Sequence, residues 1–187
     1  MIEPNDGQGT IVRWEDHIVP ILEHPDILIR DKALVAVAWE SHSSPSELHR
    51  LNFGDVEDRG DHMAISFTRR DGRKRLLPLC VSMPYFKRWV QAEHPVTELL
   101  ALDADPLEEA PSETPIWTHI DSNERIPLML LHKITKRACE RADVPTEITL
   151  HNIRRSRAML LAAQSGLRAP VFRQLFAWGT LDGGGTR

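Results

Sequence analysis

Seven consecutive apolar residues, Ala33-Leu34-Val35-Ala36-Val37-Ala38-Trp39, constrain this chain more than any other feature. On a helix such a run is apolar on nearly every side, and a helix of that kind has to be surrounded by protein. The run is far short of the roughly 20 residues that a membrane span needs. It therefore reads as a buried helix over 30–41, with Asp31 in the first turn, where a negative charge suits the helix dipole. A chain of 187 residues has room to enclose it within one domain.

Around that helix the pattern alternates between two periods. Residues 14–22 predict a short helix, broken at Pro25-Asp26. Ser44, Pro45 and Glu47 form a helix start: a hydroxyl cap, Pro at the first position and an acid at the third. A β region follows. Residues 56–57 predict a short strand, and Met63-Ala64-Ile65-Ser66-Phe67-Thr68 alternates as a half-buried strand does. Asp71-Gly72 is a hairpin turn signal, and Leu76-Leu77-Pro78-Leu79 is the return strand, at a sheet edge because Pro78 lacks a donor. Helices are then predicted from about 83 to 92, over 127–142, over 151–165 with Gly166 as a stop, and over 170–177. Residues 1–12 and 179–187 are Gly-rich or polar and read as flexible. The fold class is mainly α with a small antiparallel β-sheet (α+β), and the domain spans 13–187.

The net charge of −4 argues at first against nucleic acid, whose binders usually carry a basic footprint. Its distribution reverses that. Residues 89–124 contain nine acids and neither Lys nor Arg, so the rest of the chain is positive by five. Four prolines fall within 93–115, which reads as an acidic insertion, a loop or partly disordered. Residues 125–187 carry +7, and Arg69-Arg70-Asp71-Gly72-Arg73-Lys74-Arg75 is a second basic block. Two such regions on one face would attract phosphate backbones.

Only Cys80 and Cys139 are present, which excludes a disulfide framework or a Cys-rich zinc module and suggests a reduced, cytoplasmic setting. The N-terminus has no basic n-region or apolar h-region, so no secretory signal is expected.

One segment could carry chemistry: Leu150-His151-Asn152-Ile153-Arg154-Arg155-Ser156. His151 and Arg154 are three apart and share a helix face. Arg gives bidentate, charge-assisted contacts to a phosphate, and His supplies a donor or a proton. The alternative is an amphipathic helix with a basic solvent face.

The order of features resembles the catalytic domain of the tyrosine recombinase, or phage integrase, family. Arg30-Asp31-Lys32-Ala33-Leu34, Ser46-Glu47-Leu48, Leu51-Asn52-Phe53-Gly54-Asp55-Val56, the hairpin ending Arg75-Leu76-Leu77-Pro78-Leu79, His151-Asn152-Ile153-Arg154-Arg155 and Leu175-Phe176-Ala177-Trp178-Gly179 follow the family's motif order. The resemblance implies a domain that binds double-stranded DNA, without metal or nucleotide cofactor, in the cytoplasm at the nucleoid. It also implies possible assembly with itself or with a recombinase partner on DNA. His151, Arg154 and Trp178 fall on family active-site positions. Three positions depart. The first catalytic Arg falls on Ser44, the hairpin Lys on Arg70, and the nucleophilic Tyr on Arg187. The single tyrosine, Tyr85, lies in another element and reads as a packed side chain.

The family chemistry is attack of a Tyr hydroxyl on a phosphodiester, with two arginines stabilising the developing charge. This chain is expected to bind DNA without cutting it. Arg69, Arg73, Lys74, Arg75, Arg155 and Arg157 are the expected DNA-binding residues. Other readings remain: a piece of an active integrase ending before its tyrosine, a partner of a protein that donates the tyrosine, or a protein-interaction module derived from such an enzyme.

Overall fold

The computed structural model of the chain describes residues 10–165. Trp178, Arg187 and the helix expected over 170–177 lie outside those residues.

A π-helical turn, Trp14–Ile18, runs into α1 (Val19–Glu23). The apolar run forms α2 (Ile29–Ser41), in which residues 33–39 are buried on all sides. It packs against the helices Met83–Arg88, Leu128–Arg141 and Leu150–Ser165. The α2 N-terminal end is pinned by a buried pair: Arg30 donates to Asp31 at 2.8 Å and to the Thr118 carbonyl at 3.1 Å. Next come α3 (Pro45–His49), a 3₁₀ turn at Phe53–Asp55, and the three strands β1 (Val56–Asp58), β2 (Met63–Thr68) and β3 (Lys74–Leu79). Then follow α4 (Met83–Arg88), α5 (Pro106–Glu109), α6 (Leu128–Arg141) and α7 (Leu150–Ser165). The architecture is mainly helical with one small antiparallel sheet, as the sequence pattern predicts.

The sheet order is β1-β2-β3, all antiparallel. Met63 pairs with Leu79 and Phe67 with Arg75, so Pro78 sits on an edge strand. Gly72 adopts φ +81° in the turn, a conformation that costs glycine little. Strand β3 begins at Lys74, two residues before the expected start. That places Arg75 on the same face as Leu77 and Leu79, the half-buried and buried positions of the strand.

The acidic stretch is more ordered than its composition predicts. The helix after α4 continues in π geometry over Trp89–Glu93, and Pro95–Leu99 forms a 3₁₀ helix. Its anchor is His94, fully buried between Phe53 and Trp89, with ring centroids 5.0 and 4.9 Å away. The His94 Nδ1 accepts from the Val96 N–H at 3.1 Å, and Nε2 lies 3.0 Å from the Pro115 carbonyl. Trp89 and Trp117 are buried in the same core. Complete burial of a large apolar side chain contributes about 1.5–3 kcal/mol, enough to hold a stretch that has no helical period of its own. Where this stretch passes the 3₁₀ turn ahead of β1 it comes very close. The Gly54 N–H donates to the Ser112 carbonyl at 2.9 Å, and a Cβ on Gly54 would stand 2.8 Å from the Ser112 Cβ.

Candidate nucleic-acid interface

The centre of the site is a carboxylate. Ser44 is the N-cap of α3, and its hydroxyl accepts from the Glu47 N–H at 3.3 Å. In return, Glu47 Oε2 accepts from the Ser44 N–H and hydroxyl, each at 2.7 Å. This capping box turns the Glu47 side chain back over the end of α2 and buries it. A buried carboxylate needs a counter-charge. Two arginines supply it from distant elements. Arg75 on β3 donates through Nε to Oε1 at 3.0 Å, and Arg154 on α7 reaches Oε2 through Nη1 at 3.4 Å. Burial works to raise the Glu47 pKa, but Arg75 and the Ser44 N–H outweigh it and hold the carboxyl below its usual range.

Arg75 is spent on structure. Besides Glu47, its guanidinium donates to the Ser41 carbonyl at 3.3 and 3.4 Å and to Ser43 Oγ at 2.8 Å, and it lies 5.2 Å over the Phe67 ring. The cation thus closes the C-terminal end of α2, where helix carbonyls lack partners. His42 ends that helix with φ 44°, and burial, then Arg75, draw its pKa down to about 4.

Arg154 stands one turn into α7, whose start is fixed by Thr149 and Asn152: the Asn152 N–H donates to Thr149 Oγ1 at 3.2 Å. Burial lowers the Arg154 pKa, Glu47 raises it, and Arg75 and then Arg69 lower it further, while two guanidiniums, those of Arg75 and Arg154, meet at this one carboxylate. His151, one turn earlier, is exposed and stacks on His132 of α6, with centroids 5.9 Å apart and planes 20° apart. Burial, then His151, lowers the His132 pKa.

The hairpin carries the outer cations. Arg70 and Arg73 are exposed at its tip, Arg73 lying 3.9 Å from Asp71. Arg69 is half-buried at the head of the turn, its N–H donating to the Arg73 carbonyl at 2.8 Å. Lys74 pairs with Asp55 at 3.0 Å. On α7, Arg155 is exposed, whereas Arg157 lies 5.5 Å over the Trp39 ring.

The structure therefore brings Ser44, Arg75 and Arg154 together at Glu47, while the Arg69 guanidinium lies 4.0 Å from Asp71 in the hairpin turn. Ser44, at the position of the expected guanidinium, is occupied in helix capping. Trp178 lies outside the described residues. Tyr85 is a half-buried side chain of α4, packed against the core. In the sequence Glu47 stands out as the acid of a helix start and in the Ser46-Glu47-Leu48 motif, with no partner legible, and His132 carries no signal there. The sign of a larger role for Glu47 was its place in a Ser-Pro-Ser-Glu start beside a buried helix, where an acid faces inward. Among the described residues no group of three or more His, Cys, Asp or Glu could hold a metal ion. No helix among them is long and apolar enough to cross a membrane.

No protein-family model matches the chain, and no curated protein matches it. Solved structures share its fold, and they are tyrosine recombinases. The XerH site-specific recombinase in a post-cleavage complex with a palindromic difH substrate superposes with TM-score 0.65 at 16% identity, over 91% of this chain and 47% of that one. The XerA recombinase gives 0.64 at 14% identity, over 92% and 56%. A lambda integrase (75–356) dimer bound to a COC′ core site gives 0.56 at 12% identity, over 89% and 56%. The chain thus has a tyrosine-recombinase catalytic-domain-like fold and spans about half the length of these proteins.

Proposed function

We propose that this chain is a recombination-related DNA-binding module that grips a backbone phosphate at Arg154 and does not cleave the strand by itself. The observation that carries the reading is the Glu47 carboxylate, which holds Arg154 of α7 and Arg75 of the hairpin at one point. A guanidinium fixed by a buried partner loses little freedom when it binds an anion, which favours phosphate recognition. Arg70, Arg73 and Arg155 add sequence-independent attraction. The neighbouring recombinase structures, solved as complexes with DNA sites, support the same partner.

Cleavage asks for more than this set offers. A serine hydroxyl stands where the family places a guanidinium, and loss of one preorganised donor costs on the order of 10²–10³ in rate. Arg70, at the Lys position, stays protonated and is a poor proton donor.

The test is titration of duplex DNA against the chain at several salt concentrations, followed by fluorescence anisotropy. Affinity should fall steeply as salt rises, and Arg154→Ala should weaken it about tenfold, the loss of one charge-assisted contact. Salt-independent binding would remove the electrostatic basis. A nicked suicide substrate should give no covalent adduct, and an adduct would overturn the non-cleaving part alone.

A further inference from the structure

Between α6 and α7 two imidazoles lie face to face: the His132 and His151 ring centroids are 5.9 Å apart and their planes are within 20° of parallel. His151 is exposed and His132 is half-buried, so His132 is the inner member of the stack. We infer that His132 is a positioning residue of the phosphate site: it steadies the His151 ring one turn from Arg154, and the pair takes up a proton when a DNA phosphate binds there. The inference rests on phosphate binding at Arg154.

His151 and Arg154 lie three apart on α7 and share a face, so an anion gripped by the guanidinium comes within reach of the ring. An exposed ring gives up rotational freedom when it meets an anion, and the contact with His132 removes part of that cost beforehand. The stack also has an electrostatic consequence. Two imidazoliums this close repel, and burial, then His151, holds the His132 pKa below its ordinary range. The charges on the elements packed around α6 are engaged elsewhere or face solvent. Glu47 of α3 holds Arg75 and Arg154, His49 of α3 meets the Ile126 carbonyl at 2.9 Å, and Asp31 of α2 pairs with Arg30. Glu23 of α1, Lys133 and Lys136 of α6 and Arg155 of α7 are exposed. Among the described residues the one imidazole paired with an acid is His62, so the stacked rings have no carboxylate partner. A phosphodiester supplies that negative charge and favours the protonated form of both rings. The bound state then holds more protons than the free state, and affinity rises as pH falls.

The test follows duplex DNA binding to the full chain by fluorescence anisotropy at fixed ionic strength, from mildly alkaline to mildly acidic pH, with the imidazole signals read by NMR. Without DNA, His151→Gln should raise the His132 titration midpoint, because a neighbouring charge is gone. With DNA, the wild-type affinity should rise by about 3–10-fold from about pH 8 to about pH 6, the scale of up to one proton taken up. His132→Phe keeps a ring against His151 and cannot titrate. Its affinity at alkaline pH should match wild type, and its rise on acidification should be smaller. His132→Ala removes the ring and should weaken alkaline binding by about threefold, the scale of one aromatic contact. An unmoved His132 midpoint in His151→Gln, a flat wild-type profile, a His132→Phe rise equal to wild type, or a His132→Ala affinity equal to wild type would each overturn the inference. Failure of the phosphate reading shows differently: binding is then insensitive to salt or to Arg154→Ala at every pH, and the inference falls with it.

Discussion

Glu47 and Arg75, 28 residues apart in sequence, meet at 3.0 Å with side chains only 7% and 20% exposed. That contact ties the hairpin to the first turn of α3. It also decides how the rest of the basic surface is used, because the same carboxylate holds Arg154.

Glu47→Gln is expected to destabilise the chain by about 3 kcal/mol, the usual scale for breaking a buried ion pair from one side. Urea unfolding at neutral pH measures it. The wild-type dependence on pH follows from the lowered Glu47 pKa. This contribution is fully present above the unfolded carboxyl value of roughly 4.3 and is lost as pH falls through the lower folded value. In Glu47→Gln that acid-side loss should shrink. An identical acid profile would mean that Glu47 is not ionised in the folded chain.

Arg75→Lys keeps the charge but not the fork. One ammonium cannot reach Glu47, Ser41 and Ser43 together, so a loss of about 1–2 kcal/mol is expected. A denaturation midpoint equal to wild type would show that charge alone suffices there.

His94 gives the chain a second pH response. Burial draws its pKa to about 4, and the ring is neutral among its aromatic neighbours. The unfolded imidazole titrates near roughly 6.5, so the unfolded state binds more protons between the two values. Stability is therefore complete above that unfolded value and declines as pH falls toward 4. The decline amounts to about 3 kcal/mol if no other group compensates. Urea midpoints at neutral and mildly acidic pH test it, with His94→Gln expected to flatten the slope.

Arg70→Gln with Arg73→Gln should leave stability within about 0.5 kcal/mol, since both side chains are exposed. The salt dependence of DNA binding should weaken by a log–log slope of about 0.9 for each phosphate contact removed. An unchanged slope would place the DNA elsewhere.

Much of the fold was legible in the sequence. The run through α2 has no polar side, Asp71-Gly72 marks the hairpin, and the α6 and α7 periods are helical. The start of β3 was harder to read, because Arg75 interrupts the apolar alternation that marks a strand. Its inward place is acceptable only because Glu47 arrives from another element to neutralise it. The stretch from 93 to 115 was hard for a related reason. It has no period of its own and is held by His94, Trp89 and Trp117, contacts between segments far apart in the chain.

The sequence by itself determined most of the elements, their order, the split between an acidic stretch and a basic remainder, and the placing of His151 and Arg154 one turn apart on one helix. These depend on local period and spacing. Only the tertiary structure decided which cations are spent inside the protein. Arg30 and Arg75 hold helix ends, Arg157 covers Trp39, and Arg70, Arg73 and Arg155 remain on the surface. The reason is that a buried charge is tolerable only beside its counter-charge, and folding alone brings residues such as 47, 75 and 154 to one point.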